Sequence, residues 1–285
     1  MTPARQRLFV TGASSFVGAW FCRHAADQGH AVFGLRRHTP LHIRGVTEVV
    51  GDVRTSRPPP GTDVVVHLAA KVMADDARAQ NRAMMDAVLE WGLPVVYASS
   101  TVVHWPAASA YREARIEDEA RLAASPRPWL VVRPCAPYGP PLPGHTPAHT
   151  ESFHRLARLV STTPLVPIIG DGRYRRQPVH VEDFNHAILA LLERNVWRTA
   201  FDAGASAPLT MRELLVTLAA ALGRSLHVLP VPARLAALGA RAIPGLRPEL
   251  IANFATDDVV DPRPLQIASG VPPRSFSSGA ACLRP

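Results

Sequence analysis

The fold is decided by residues 7–18, which read Arg-Leu-Phe-Val-Thr-Gly-Ala-Ser-Ser-Phe-Val-Gly. Residues 8–10 are an apolar run that predicts a short buried strand. Gly12 permits a tight turn, and apolar residues at helical spacing follow over residues 16–28 before Gly29 ends the helix. The stretch therefore predicts a strand that turns sharply into a helix.

Such a turn directs free backbone N–H groups and the positive end of the helix dipole at one point. In dinucleotide-binding folds a pyrophosphate lies there, on a glycine-rich turn. Gly12 and Gly18 keep the outer glycines, but Ser15 occupies the middle position, where backbone must approach phosphate. Because one glycine is missing, an ordinary strand–helix turn is the alternative. We expect the cofactor contacts of this turn to come from Gly12, Ser14, Ser15, Phe16, Val17 and Gly18.

Length and composition describe a globular chain. It has 285 residues, of which 47% are hydrophobic, and its mean hydropathy is close to zero. No apolar run reaches about 18 residues, so no membrane span is expected. The first residues lead directly into a strand and leave no room for a signal peptide. Three cysteines without metal-ligand spacing are typical of a reducing compartment, so we expect a cytoplasmic protein.

The formal net charge of +8 raises the question of a nucleic-acid partner. The arginines are scattered and do not alternate with aromatic residues, so no nucleic acid is expected. His145 and His149 have metal-like spacing, but Pro147 interrupts the helix that the spacing needs, and no acidic partner is near. No metal is therefore expected. Lys71 is the only lysine among 31 basic residues.

Strands and helices alternate over the first half of the chain. Apolar runs predict further strands at 31–35, 46–50, 63–68, 95–98 and 129–133, and helical spacing predicts helices at 75–91 and 111–123. Three prolines at 58–60 exclude a full helix between the third and fourth strands. This alternation predicts an α/β fold with a Rossmann-type doubly wound parallel sheet, which binds ligands at the carboxyl ends of its strands.

The pattern loosens in the second half. It predicts helices at 151–160, 182–194 and 211–222, and a short strand at 179–181. Thr210 has the position of a helix N-cap, with Glu213 completing a capping box. We expect a dinucleotide-binding domain over residues 1–140, with sheet contributions from about 164–204. A smaller mixed substrate-binding lobe over 141–285 is interleaved with it.

The second strand ends in Arg36 and Arg37. An acidic residue at this point holds the ribose hydroxyls of NAD(H), whereas arginine favours the 2′-phosphate of NADP(H). The two arginines therefore favour NADP(H) over NAD(H). A solvated basic strand end is the alternative interpretation.

Further short motifs recur along the chain. They are Gly51-Asp52-Val53, His67-Leu68-Ala69-Ala70, Asn81, Tyr97-Ala98-Ser99-Ser100, Tyr111, Arg133-Pro134-Cys135-Ala136-Pro137-Tyr138-Gly139-Pro140, Gly170-Asp171-Gly172 with Arg176, and His180-Val181-Glu182-Asp183. In these motifs and their order the chain resembles the extended short-chain dehydrogenase/reductase superfamily, the NAD-dependent epimerase/dehydratase group. Residues 177–183, 209–223 and 231–235 resemble atypical members related to the complex I accessory subunit and to 3β-hydroxysteroid dehydrogenase-like proteins.

The resemblance implies a catalytic pair and a departure from the family pattern. Tyr111 would be the general acid/base and Ser100 would hydrogen-bond the substrate oxygen. The family places a lysine four residues after the tyrosine, and here that position is Arg115. Arginine keeps the charge but does not deprotonate and cannot relay a proton. Either the site tolerates arginine, or it has lost ordinary redox chemistry.

The resemblance also assigns ligand contacts. Tyr111 and Arg115 would contact the cofactor, together with Asp52, Val53, Leu68, Ala69, Ala70, Lys71, Ala98, Ser99, Pro134, Cys135 and Ala136. Lys71 would have a catalytic or cofactor-orienting role, against the alternative of a plain surface lysine. The substrate would meet Thr101, His104, Trp105, Pro137, Tyr138 and Arg176, the last at a position where sugar-nucleotide members hold a diphosphate.

Three functions remain open from the sequence. The leading one is an NADP(H)-dependent oxidoreductase that reduces a carbonyl on a small organic or sugar-like substrate. The alternatives are a nucleotide-sugar epimerase or dehydratase with retained NAD(P), and a non-catalytic NADP(H)-binding structural or regulatory protein. Helices 75–91 and 111–123 pair two subunits in many relatives, so a homodimer is expected, unless Met84, Val88 and Trp91 are plain core.

Overall fold

The computed structural model describes residues 5–72, 76–147, 152–240 and 255–284. Its large sheet contains β1 (Arg7–Thr11), β2 (Ala31–Arg36), β3 (Val46–Val50), β4 (Val64–His67), β5 (Val95–Ala98), β6 (Trp129–Pro134) and β9 (Thr199–Ala203). The strand order is β3-β2-β1-β4-β5-β6-β9, and every neighbouring pair is parallel. This is the order of a doubly wound dinucleotide-binding sheet with one strand added, so the predicted fold class is confirmed.

Helices cover both faces of this sheet. On one face lie α1 (Phe16–Asp27) and α5 (Val181–Glu193), and on the other α2 (Ala77–Glu90) and α3 (Ala110–Ala123). The other described helices are α4 (Ser152–Thr162), α6 (Met211–Ala221), α7 (Ala233–Ala240), α8 (Arg263–Ser269) and α9 (Phe276–Gly279). Alternate strand residues face opposite layers: Leu8 and Val10 pack with α1 and α5, whereas Phe9 packs with α2 and α3. None of the helices in these ranges is long and apolar enough to cross a membrane.

The connections agree with the sequence at the points where proline and capping residues decide them. No helix separates β3 from β4, where residues 58–60 are prolines. Thr210 and Glu213 form the predicted capping box at the start of α6. The predicted strand at 179–181 is wrong: only one isolated bridge forms there, between Tyr138 and His180. His180 is instead the N-cap of α5, and its side chain accepts a hydrogen bond from the Glu182 amide.

The second half of the chain contributes to both lobes. Within 164–204, β9 joins the large sheet and α5 packs beside α1. By contrast, β7 (Leu165–Ile169) pairs with β11 (His227–Val231), and β8 (Arg175–Arg176) pairs with β10 (Leu209–Thr210). A separate apolar cluster fills this smaller lobe. The division at residue 140 stays a prediction.

The helices α2 and α3 lie side by side against the large sheet. Val88 of α2 is fully buried in the core beneath them, and Met84 and Trp91 pack partly buried against the same core. Arg78 pairs with Glu113 and Glu117 across the two helices. These three apolar residues therefore have core contacts within one chain, and the homodimer stays a prediction.

Candidate active site

The turn between β1 and α1, residues 12–18 and here called the glycine turn, has no room for side chains at either end. Gly12 has a φ of +69°, and a Cβ there would lie 2.6 Å from the backbone nitrogen of Ala69. A Cβ on Gly18 would lie 2.2 Å from the Gly12 carbonyl oxygen. The first glycine brings the turn against the end of β4, and the second closes helix α1 against the turn. Both positions thus require glycine for steric reasons.

Ser15 at the middle position has a role of its own. It is the N-cap of α1, and its hydroxyl accepts a hydrogen bond of 3.0 Å from the Gly18 amide. Its own amide donates to the Gly12 carbonyl at 2.9 Å. Serine is among the preferred N-cap residues. The serine therefore fits the turn, and the missing glycine does not disrupt it.

The other residues predicted in the glycine turn are packing residues. Phe16 is buried and meets the His154 ring edge to face, with 4.8 Å between ring centroids. Val17 packs partly buried on the core. The Ser14 carbonyl accepts a hydrogen bond from Nε2 of His145 at 3.2 Å. These contacts hold the turn from behind.

The basic end of β2 contains two different arginines. Arg36 donates to Glu48 at 3.0 Å, and hydrogen bonds from His42 and Arg36 lower the pKa of that carboxyl group. Arg37 is 59% exposed and lies 3.7 Å from Asp52. Asp52 is held mainly by Arg54, which lowers its pKa to about 2. Arg37 is therefore the less engaged of the two arginines, and it lies beside Asp52, another residue predicted to contact the cofactor.

The loop after β4 is fixed by a residue that the predicted site omitted. The backbone amide of Lys71 donates to Oδ1 of Asn81 at 2.9 Å, and Nδ2 of Asn81 donates to the Lys71 carbonyl at 2.8 Å. Asn81 is buried near the start of α2. This two-point contact positions the segment Leu68–Lys71, predicted to contact the cofactor. The sequence signal that could have identified Asn81 as a site residue was its place among the motifs shared with the family.

The carboxyl end of β5 leads to the predicted catalytic pair. Ser100 caps the short 3₁₀ helix Thr101–His104, its hydroxyl accepting from the Val102 amide at 3.3 Å. Tyr111 is the second residue of α3, and Arg115 follows one turn later. The Arg115 guanidinium carbon lies 4.8 Å from the centroid of the Tyr111 ring, a cation–π contact. The positive charge therefore lies directly against the tyrosine that the sequence assigns as the acid.

Arg115 is almost completely buried, at 1% exposure. Its Nη1 donates to the hydroxyl of Tyr97, and that hydroxyl donates to Oδ2 of Asp118 at 2.9 Å. Burial raises the pKa of both Tyr97 and Asp118. Nε and Nη2 of Arg115 have no hydrogen-bond partner in the described part of the chain. We call Tyr97, Tyr111, Arg115 and Asp118 the α3 cluster.

His67 links the glycine turn to the α3 cluster. Its Nδ1 lies 2.7 Å from the hydroxyl of Thr11, at the end of β1, and its ring stacks on Tyr97 with 5.6 Å between centroids. Burial, with a smaller contribution from the Arg115 charge, lowers the pKa of His67 to about 3. The imidazole is therefore neutral and serves as a hydrogen-bonding spacer between the two regions.

A second polar group lies at the ends of β5, β6 and β9. Arg133 binds Glu119 through two nitrogens, at 2.6 Å and 2.9 Å, and Ser99 donates to the same carboxylate at 2.5 Å. Arg133 also contacts Asp202 at 3.3 Å, and Asp202 in turn binds His104 at 3.0 Å. The Asp202 carboxylate raises the pKa of His104. This group ties α3 to the sheet beside Ser100.

The segment after β6 is largely buried. The Cys135 thiol donates to Asp258 at 3.3 Å, and burial raises its pKa well above the usual value. Ala136 has a positive φ of 32°, and Pro134 is buried. Tyr138 is fully buried and lies 5.0 Å from the Phe276 ring in the smaller lobe. Pro137, between them, is half-buried.

The remaining substrate positions are divided between the two lobes. Thr101 is buried, Trp105 is half-buried after the 3₁₀ helix, and His104 is the exposed member of the three. Arg176 lies on β8 of the smaller lobe, where it donates to the carbonyls of Thr256 and Arg175 and lies 4.9 Å from the Tyr174 ring. His149 lies outside the described residues. The substrate roles stay predictions.

A family model described as the NAD dependent epimerase/dehydratase family matches residues 8–104 and 108–204. The chain belongs to this family. The expected superfamily is therefore confirmed. The narrower branch stays a prediction.

Named relatives of this family member include an oxidoreductase and two epimerases. The ceramide reductase of Caulobacter vibrioides is 29% identical over 197 residues, which are 64% of this chain and 59% of that protein, so the chain spans about three fifths of that relative's length. The UDP-glucose 4-epimerase of Bifidobacterium longum, solved with NAD+ and UDP, matches with a TM-score of 0.76 at 16% identity, covering 97% of this chain and 96% of that one. The UDP-glucuronic acid 4-epimerase of Bacillus cereus, solved with NAD, gives 0.72 at 18% identity, covering 97% and 96%.

The residues present fit a nicotinamide dinucleotide. Gly12 lets the glycine turn pack against the backbone after β4, where a Cβ would lie 2.6 Å from the Ala69 nitrogen. The turn leads into the N-terminus of α1, where a pyrophosphate site is expected. At the other end, Arg115 leaves two buried donors without a protein partner. The family's cofactor is NAD(P), and the choice between NAD(H) and NADP(H) belongs to the proposal below.

Proposed function

We propose that this enzyme is an NADP(H)-dependent reductase of a carbonyl compound. The observation that carries the proposal is the buried Arg115 guanidinium against the ring of Tyr111, 4.8 Å from guanidinium carbon to ring centroid. Arginine stays protonated in proteins, so this position carries a permanent positive charge beside the ring of Tyr111. The arrangement suits a tyrosine that protonates a reacting oxygen.

The chain's own residues divide the work between orientation and proton transfer. When bound, the nicotinamide cofactor supplies the hydride. Ser100, at the carboxyl end of β5, donates a hydrogen bond to the carbonyl oxygen, and Tyr111 gives that oxygen its proton. Arg115 would hold the ribose of the nicotinamide half, since its Nε and Nη2 have no hydrogen-bond partner among the described residues. Arginine takes over the electrostatic and binding roles of the family's lysine without relaying a proton.

Arg37 carries the preference for NADP(H) in this proposal. Its guanidinium is exposed and weakly held beside Asp52, whereas Arg36 is engaged by Glu48. An exposed arginine after the second strand suits a 2′-phosphate, which it can bind with two hydrogen bonds. The glycine turn would bind the pyrophosphate. The segment Leu68–Lys71, which Asn81 positions, would line the cofactor site.

Two observations favour reduction over epimerisation: the name of one relative and the hydrogen bonds of Arg176. The relative of known name that matches in sequence is a ceramide reductase. Arg176, the residue expected to hold a sugar-nucleotide diphosphate, already donates to the Thr256 and Arg175 carbonyls. We therefore place a lipid-like or other small carbonyl compound ahead of a nucleotide sugar as substrate.

The first experiment is a fluorescence titration with NADPH and NADH, followed by a turnover screen of long-chain lipid ketones, small ketones and UDP-glucose. We expect tighter binding of NADPH, NADPH consumption with a ketone, and loss of turnover by about 10²-fold or more in Tyr111→Phe. The melting temperature and NADPH affinity of Tyr111→Phe serve as controls for folding and cofactor loading.

Three results would contradict the proposal or a part of it. Full turnover by Tyr111→Phe would exclude this tyrosine as the acid. Conversion of UDP-glucose without net consumption of cofactor would transfer the assignment to an epimerase. Tighter binding of NADH than of NADPH would remove the argument from Arg37 and leave the reductase chemistry to be judged on the screen.

A further inference from the structure

The hydroxyl of Tyr97 connects two buried charges. It accepts a hydrogen bond from Nη1 of Arg115 and donates one of 2.9 Å to Oδ2 of Asp118. The Arg115 guanidinium carbon also lies 5.3 Å from the centroid of the Tyr97 ring. Tyr97 and Arg115 are among the largest fully buried side chains of the described residues, and Asp118 is 2% exposed. The three groups thus form a hydroxyl-bridged ion pair inside the protein.

This bridge answers the question of how a buried guanidinium is tolerated. A buried charge is costly unless it is paired and hydrogen-bonded. Glu119, the next carboxylate along α3, is engaged by Arg133 and Ser99 and lies in the other polar group. Asp118 is therefore the counter-charge, and it lies three residues after Arg115 on the same helix, where side chains share a face.

The bridge also restricts the orientation of the guanidinium. The guanidinium carbon contacts two rings, at 5.3 Å from the centroid of Tyr97 and 4.8 Å from that of Tyr111. Because Nη1 donates to Tyr97, the other two nitrogens of the planar guanidinium, Nε and Nη2, are held in a fixed direction as donors. A freely rotating arginine would offer these donors in many directions, and a held one offers them in a single direction.

We propose that Tyr97 and Asp118 are positioning residues that orient Arg115 for its contacts with Tyr111 and the cofactor. They do not touch the reacting atoms and act through the guanidinium alone. The inference rests on the proposed function, because it assigns how the arginine that replaces the family's lysine is made competent. It makes Tyr97 and Asp118 necessary only as long as residue 115 is arginine.

That dependence supplies the test. A lysine ammonium is compact, carries no fork to orient and binds as a point charge. Removing the Tyr97 hydroxyl should therefore matter in the native background and matter little when Arg115 is replaced by lysine. The experiment is a double-mutant cycle of Tyr97→Phe and Arg115→Lys on the full chain, which measures their coupling directly.

Four quantities are measured for each member of the cycle: the Kd for NADPH by fluorescence, kcat and KM for the carbonyl substrate, and the melting temperature. In the native background we expect Tyr97→Phe to weaken NADPH binding about tenfold and to lower kcat by a similar factor, with little change in substrate KM. In the Arg115→Lys background both effects should fall below about threefold. The melting temperature should drop in both backgrounds, since a buried hydrogen bond is lost in each.

Two substitutions at Asp118 separate acceptor from charge, and a neighbouring acid is the control. Asp118→Asn keeps an oxygen that accepts from Tyr97, so it should retain more NADPH affinity than Asp118→Ala. Glu117→Gln alters the adjacent acid of α3, which pairs with Arg78 on the surface. We expect Glu117→Gln to leave both the NADPH affinity and kcat unchanged.

The outcomes distinguish the inference from the function on which it rests. Equal losses of NADPH affinity in the two backgrounds, following only the melting temperature, would reduce Tyr97 to a stabilising core residue and overturn the inference. An active enzyme that tolerates Tyr97→Phe in both backgrounds would also overturn it, with the reductase assignment intact. A protein that turns over no carbonyl but shows the coupled NADPH affinities would support the positioning role while the reductase assignment fails.

Discussion

The two parts of the site are built from different materials. The glycine turn is made by backbone: Gly12 and Gly18 lie where a Cβ would stand within 2.6 Å and 2.2 Å of other backbone atoms. The α3 cluster is made by side chains, with a guanidinium, a phenol hydroxyl and a carboxylate joined by hydrogen bonds away from water. A substitution in the backbone part introduces a steric clash, whereas a substitution in the side-chain part leaves a buried charge without its partner. Each should therefore respond to its own kind of substitution.

The strongest break of the backbone part is Gly12→Ala. The new Cβ would press on the backbone of Leu68 and Ala69, which cannot move aside as a flexible side chain can. Because this clash adds to the strain of a left-handed φ, we expect the unfolding free energy to fall by about 3 kcal/mol or more. Urea denaturation measures the loss. NADPH binding should be lost in the same variant.

Gly223→Ala is the matched control for this substitution. Its φ of +68° equals that of Gly12 within a degree, but nothing lies within 4 Å of a Cβ there. Only the conformational strain of about 1–2 kcal/mol should be felt, with NADPH affinity unchanged. Equal losses in the two variants would show that strain alone, and not the contact with the end of β4, makes Gly12 necessary.

In the second polar group, beside the α3 cluster, Glu119→Gln should have the next largest effect. Its carboxylate binds Arg133 through two nitrogens and accepts from Ser99, and both charged side chains are less than one fifth exposed. Breaking one partner of such a pair costs about 3 kcal/mol. Thermal and urea unfolding measure the loss, and the exposed pair of Glu117 with Arg78 gives the contrast, since solvent screens that pair and Glu117→Gln should cost much less stability. Comparable losses at 117 and 119 would contradict the structure.

The smallest expected effect is at His67, between the two parts. Because its folded-state pKa is lowered to about 3, its NMR ring signals should not shift between pH 8 and pH 5. The unfolded chain takes up a proton near pH 6.5, so the contribution of His67 to stability is complete above that pH and declines as the pH falls toward 3. A His67→Asn spectrum assigns the resonance, and a shift with a midpoint near 6.5 would show that the ring is not enclosed.

The backbone part of the site was readable from the sequence because its constraints are local. A glycine at the end of an apolar strand, a capping residue and a helical run lie within residues 7–28, and the structure forms a strand, an N-cap and a helix there. Strand and helix alternation likewise predicted a doubly wound parallel sheet, which the structure has. Ser15 looked like a defect in the pattern, and only the hydrogen bond to the Gly18 amide shows that it caps the helix.

The side-chain part could be predicted only in its first members. Tyr111 and Arg115 are four residues apart on one helix, and their contact follows from helical spacing. Tyr97 lies on β5 and reads as one more apolar strand residue, and Asp118 reads as one acid among several on a charged helix. Their partnership requires the distance between the sheet and α3, which no local pattern contains. Tyr138 and Arg176 likewise take their contacts from the smaller lobe.

The sequence by itself thus determined what short-range sterics and periodicity control: the parallel sheet, the helices that cover it, and the turn that only glycine permits. The tertiary structure alone decided which polar groups share the interior. In the interior, the hydroxyl of Tyr97 accepts a hydrogen bond from Arg115 and donates one to Asp118. Buried charges need such partners from the protein because water is excluded. That pairing depends on how α3 packs against β5. It involves Arg115, which stands where the family has a lysine.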